Sequence, residues 1–250
     1  MKIVRAQKNG EVFYAAQDGG ALRRLSGAPY EYFSFTGETI SPNEVSLLVP
    51  CEPTKIVAVG LNYARHALEL HDKLAENPVL FLKPLTALIA HGDAIEYPAI
   101  SERVDYEAEL AVVIGKKCKN VTPLEAKDCI FGYTALNDVT ARDLQKLDGQ
   151  WTRAKSFDTF CPVGPGIDTE FIPAGKRIQS VLNGKVCQDS TLDNMLFDIP
   201  TLISFISACM TLLPGDIIAT GTPEGIGPMR RGDTIEVRIE GLDTLRNSVK

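Results

Sequence analysis

The stretch "VDYEAELAVVIGK", Val104 to Lys116, places two carboxylates, Glu107 and Glu109, at the entrance to a run that otherwise reads as a buried strand. Side chains alternate across a strand, so positions i and i+2 share a face. Carboxylates about 5 Å apart at an effective dielectric near 20 repel by roughly 3 kcal/mol. Splaying into solvent, protonation of one group, or a bound cation would each relieve that repulsion. A hard divalent ion suits carboxylate oxygens, and Asp138, at the end of "GYTALND", could add a third oxygen from a neighbouring strand. The bland alternative is an exposed strand face with solvated glutamates.

Other residues could work beside such an ion. His66 and Glu69 are three apart on an expected helix, where a carboxylate can orient an imidazole as a general base; a surface ion pair is the alternative. "DVTARDLQ" puts Asp138, Arg142 and Gln145 at helix-compatible spacing, and "RAKSFDTFCPVGP" offers Lys155, expected at a strand end. Arg142 and Lys155 could neutralise an anionic substrate or a developing enolate. "TGTPEGIG" could present hydroxyls and amides to a carboxylate, or be a plain turn. His71 and His91 lack such neighbours.

The elements that would position these groups are mostly strands. Asn9-Gly10 and Asn183-Gly184 mark tight hairpins. Ile56 to Val59 reads as a short buried strand, followed by a helix capped near Asn62. Helices are expected around "PLEAKDCIF" and "DIPTLISFISACMTL", the latter with Pro200 in its first turn. Strands outnumber helices and do not alternate with them, which predicts an α+β, mainly β fold. Pro42, Pro50 and Pro53 suit a connection, so a small N-terminal β domain over 1–50 and a main domain over 51–250 are expected.

Composition narrows the function classes. The 250 residues, 44% hydrophobic, can bury a sizeable core. A formal charge of −6 and no evident basic face argue against a nucleic-acid partner. No apolar run approaches the roughly 18 residues of a membrane span, and the start lacks a signal-peptide pattern, so the expected location is the cytoplasm. Cys51, Cys118, Cys129, Cys161, Cys187 and Cys209 are scattered without zinc-site spacing and read as reduced thiols. The glycine-containing segments lack the P-loop pattern.

Taken in order, "VGLNYARHALE", "FLKP", "DYEAELAVVIGK", "NDVTARDLQ", "AKSFDTFCPVGP" and "LPGDIIATGTPEGIGP" resemble the fumarylacetoacetate hydrolase family over about residues 50–250. The first fifty residues resemble the small N-terminal unit of some bacterial members. The resemblance implies a mixed β-roll, generally a homodimer, with a divalent metal, usually Mg2+ (Mn2+ or Ca2+ as substitutes), on Glu107, Glu109 and Asp138. It implies a catalytic His66–Glu69 dyad with Lys155, and substrate contacts from Arg142, Gln145, Lys83 and Thr222, with Thr220 an alternative. Arg65 departs from relatives that carry an acidic residue there, and the segment from Gln145 to Lys155 is short; both bear on substrate choice.

The activity this implies is metal-dependent chemistry on a small 2-oxo acid, foremost hydrolytic C–C cleavage of an acylpyruvate. Isomerisation of a 2-hydroxyhepta-2,4-diene-1,7-dioate in aromatic-compound breakdown, or an oxaloacetate-type decarboxylation, uses the same equipment. A non-catalytic binding protein with a structural metal is the alternative from another class.

Overall fold

A computed structural model describes residues 1–70 and 73–250; His71 lies outside the described residues. The fold is mainly β. Its largest sheet runs, strand by strand, Phe35–Ile40, Ala21–Leu25, Glu11–Asp18, Lys2–Lys8, Cys161–Asp168, Ile130–Asn137, Ala108–Ile114, Ile217–Ala219, Ile56–Gly60 and Val79–Lys83. Neighbours are antiparallel except Ile217–Ala219 beside Ile56–Gly60. The N-terminal strands therefore continue the main sheet, through Lys2–Lys8 paired to Cys161–Asp168. Lys8 faces Glu11 and Leu182 faces Lys185, so Asn9-Gly10 and Asn183-Gly184 each form the expected two-residue turn. All four turn residues have positive φ, which asparagine tolerates and glycine adopts freely.

Ala108–Ile114 is an interior strand of the sheet, and every residue in it is buried. Leu110 and Val112 pack with Val57, Val59 and Ile178 against Leu202, Ile203 and Ile206 of the helix Ile199–Cys209. That helix starts as its sequence requires: the Asp198 side chain accepts from Thr201 N at 2.9 Å, and Pro200 sits in the first turn, where no intrahelical donor is lost. The "PLEAKDCIF" region is a short helix, Pro123–Ala126, closed by a 3-10 turn, Lys127–Cys129. No helix among the described residues is long and apolar enough to cross a membrane.

The site follows from a change of sheet. Val104–Tyr106 belongs to a small sheet with Thr140–Ala141 and Gly227–Met229. At Glu107 the chain leaves it, and from Ala108 it runs in the large sheet. The adjacent chain makes the same switch in reverse, from Ile130–Asn137 at Asp138 into Thr140–Ala141. Ala108 pairs with Asn137, so the two corners meet, and Asp138 N donates to Glu107 O at 2.9 Å.

Candidate active site and metal centre

Glu107, Glu109 and Asp138 each bring a carboxylate oxygen within 4.8 Å of the others, and all three are buried. The exposed strand face considered for the E-x-E pair is not what forms: Glu109 is 1% exposed. Gly221 N donates to Glu109 Oε2 at 2.8 Å. Gly221 has φ +95°, and a β-carbon there would lie 2.7 Å from Asn62 Cβ, so only glycine brings that amide to the carboxylate.

Cations and carboxylates alternate through the site. Lys155 Nζ lies 2.8 Å from Glu107 Oε2 and 2.6 Å from Asp138 Oδ2. Lys83 pairs with the other Asp138 oxygen. Arg142 pairs with Glu107, reaches Asp105 through Nε at 3.0 Å and donates to Gln145 Oε1 at 2.6 Å. Thr140 Oγ1 lies 2.9 Å from Asp138 O and 3.1 Å from Glu107 Oε1, with one proton to share between them. Glu109 alone of the triad has no cationic side chain in ion-pair contact among the described residues.

Two placements correct the sequence expectations. Asp138 is not on a helix with Arg142 and Gln145: the helix Arg142–Asp148 begins after it, and Asp138 occupies the sheet corner. Lys155 ends a short helix, Thr152–Lys155, rather than a strand. The helix bearing the histidine also starts differently. Tyr63 holds the cap position, while the Asn62 side chain accepts from Phe197 N and donates to Phe197 O and Thr220 O. Those buried backbone groups need partners more than the helix end does.

On that helix His66 Nδ1 meets Glu69 Oε2 at 3.2 Å, and Gly225 N donates to Glu69. His66 lines a small cavity with Glu107, Glu109, Asp138, Arg142, Gln145, Lys155 and Thr222. Its volume is about 10 Å3, room for about one water. Lys83 reaches the site only through Asp138 and Val139 O. Thr220 is spent on Leu110 O, and His91 lies away, accepting from Arg246 N. A roomier cavity of about 700 Å3, between Tyr133, Phe171 and Ile199, contains none of the triad.

Sequence reasoning missed several supports. Asp105 continues the alternation that picks out Glu107 and Glu109, so the signal was present. Asn137 Oδ1 accepts from Glu107 N, and Gln188 ties Ala108 N to Thr222 Oγ1; nothing local marks either. Trp151 packs against Gly60, where a β-carbon would sit 2.2 Å from its ring, and walls the cavity beside Phe81.

The donor set fits a hard divalent cation: three carboxylates, buried, with one lacking a counter-charge. Burial raises the Glu107 carboxyl, but Lys155, Arg142 and His66 outweigh it and hold the group below its usual range. Burial, then the Asp138 and Glu107 charges, push Glu109 well above its usual range. Because the folded value is the higher one, protonated Glu109 stabilises the cation-free protein at low pH, and that contribution fades as pH rises through the raised value. A cation must displace this proton, so its affinity should climb with pH. Calorimetry in buffers of different ionisation heat should show protons released on cation binding, fewer as pH rises; no release at any pH would mean that Glu109 carries no proton for the cation to displace.

Residues 55–250 match the fumarylacetoacetate (FAA) hydrolase C-terminal family, and residues 1–50 match the Rv2993c-like N-terminal family. The chain is 46% identical to the protein Rv2993c of Mycobacterium tuberculosis over 259 residues, covering 100% of this chain and 98% of the relative. It is 39% identical over 222 residues to the mitochondrial oxaloacetate tautomerase Fahd2a of Rattus norvegicus, covering 84% and 71%. The crystal structure of a 2-hydroxyhepta-2,4-diene-1,7-dioate isomerase from Mycobacterium marinum superposes with a TM-score of 0.93 at 43% identity, covering 100% of this chain and 98% of that one. Fold and triad thus define an enzyme class built on a β-rich scaffold with an acidic cluster at a sheet corner. Within it, the chain belongs to the fumarylacetoacetate hydrolase family.

Proposed function

We propose that this chain is a Mg2+-dependent enzyme that moves a proton between the enol and keto forms of a 2-oxo acid. The observation that carries this is a single cavity holding both a carboxylate-oriented imidazole, His66 with Glu69, and an ammonium, Lys155, set between two carboxylates of the triad. The names of the rat and M. marinum relatives, a tautomerase and an isomerase, support the same proton chemistry.

Glu107, Glu109 and Asp138 would hold the cation, with Mn2+ or Ca2+ as substitutes, and bound there it would supply Lewis-acid polarisation of the 2-oxo group. Glu69 accepts the Nδ1 proton of His66, which leaves Nε2 to take the proton from C3. The C3–H pair becomes the C2–C3 double bond, and the carbonyl pair moves onto oxygen, which takes the proton from His66 Nε2 to give the enol and leaves the imidazole neutral again. Lys155 keeps positive charge beside that developing anion: burial lowers its pKa, but Asp138 and Glu107 reverse this, so it stays an ammonium. Arg142, Gln145 and Thr222 are the proposed substrate contacts, and Lys83 acts through Asp138.

Hydrolytic C–C cleavage of an acylpyruvate is the second reading, favoured by the same His66–Glu69 pair, which could take a proton from water. The expected homodimer and cytoplasmic location rest on the family and composition alone. The test incubates the protein and Mg2+ with oxaloacetate, acetylpyruvate and a 2-hydroxy-dienoate in D2O, followed by NMR. Fast deuterium entry at C3 without cleavage is the expected result. Pyruvate plus acetate would instead establish hydrolysis, and carbon dioxide decarboxylation; no Mg2+-dependent change in any substrate would defeat both readings.

A further inference from the structure

Asp105 is fully buried beside the site, yet it is neither in the triad nor in the cavity wall. It accepts from Arg142 Nε at 3.0 Å and from Arg103 Nε and Nη2 at 2.9 and 3.1 Å. The Arg142 guanidinium is therefore shared between Asp105, outside the triad, and Glu107, inside it. We infer that Asp105 is a positioning residue that sets how firmly Arg142 holds Glu107, and so how readily Glu107 yields oxygen to a divalent cation, with Arg103 tuning it from the surface. This rests on the metal-site reading above.

A carboxylate offers about four lone-pair sites. Glu107 Oε1 faces Arg142 and Thr140 and Oε2 faces Lys155, which leaves one open position, on Oε2, and makes a cation there compete with these donors for the carboxylate's charge. Charge-assisted bonds to arginine are among the strong ones, and this guanidinium also holds Gln145. With Asp105→Asn, Glu107 becomes the one carboxylate paired to Arg142, and the competitor is held harder. With Arg103→Ala, both Asp105 oxygens fall to Arg142 and draw it away from Glu107. The two substitutions should act in opposite directions.

The test is Mn2+ affinity, read by electron paramagnetic resonance of free ion, for the wild type and both variants. Asp105→Asn should weaken binding about tenfold, as outer-shell changes at metal sites do, and Arg103→Ala should tighten it. A plain through-space field would give the same signs, but the Arg103 side chain is 46% exposed, and at about 1 M salt the screening length falls to about 3 Å. Because Asp105 is fully buried and little screened by salt, the salt test is read on Arg103→Ala: a tightening that persists at high salt supports positioning. A tightening that vanishes there, two variants moving the same way, or no shift would overturn it. Should Asp105→Asn fail to fold by circular dichroism, Arg103→Ala decides alone: no tightening at high salt refutes the idea. A wild type that binds no Mn2+ would instead sink the metal-site reading itself.

Discussion

Lys155→Met is expected to destabilise the cation-free protein by about 3 kcal/mol and to slow Mg2+-dependent turnover by about 10²–10³-fold. The Lys155 side chain is 3% exposed and its ammonium neutralises Glu107 and Asp138 together. Removing one partner of a buried ion pair costs about 3–5 kcal/mol, because the remaining charge stays in low dielectric. The lower figure applies here, since Glu107 keeps Arg142 and Asp138 keeps Lys83. The rate loss matches that of deleting one preorganised donor to a developing oxyanion. A diagnostic second effect follows. Added Mg2+ takes up the charges that Lys155 leaves uncovered, so it should raise the melting temperature more in the variant than in the wild type. Thermal melts with and without Mg2+ check this, and an unchanged melting temperature in the cation-free variant would remove Lys155 from the site's charge balance.

What was legible in the sequence was local. Asn9-Gly10 and Asn183-Gly184 announce their turns through backbone preferences of two residues. The His66–Glu69 contact follows from helical spacing, and the shared face of Glu107 and Glu109 from strand alternation. Their burial was not legible, because it depends on two strands changing sheets at one level, set by the Ala108–Asn137 pairing, twenty-nine positions apart in sequence. Local spacing also misled: Asp138 and Arg142 are four apart, yet a sheet corner separates them. The four-residue helix ending at Lys155 is too short to show a period. Asn62 has the right chemistry for a cap, but buried carbonyls distant in sequence claimed its side chain first. The family resemblance supplied what spacing could not, the grouping of these residues into one site.

His66→Gln should reduce enol–keto proton exchange by about 10²–10⁴-fold, the usual contribution of a positioned general base. Glutamine keeps a polar side chain of similar reach but offers no basic nitrogen, so the cavity is perturbed little while proton transfer stops. Mn2+ affinity should remain close to that of the wild type, since His66 is not in the triad. Glu69→Gln should cost less, because it weakens the orientation of the ring and leaves Nε2 in place. The comparison across reactions is the sharper part. Tautomerisation and hydrolysis both need a base, whereas decarboxylation of oxaloacetate needs a stabilised enolate and no base to start it. His66→Gln should therefore spare any decarboxylase activity that Lys155→Met destroys. Measured on one protein preparation by NMR, equal losses of exchange and decarboxylation in His66→Gln would mean that the imidazole acts through the shape of the cavity and not as the proton carrier.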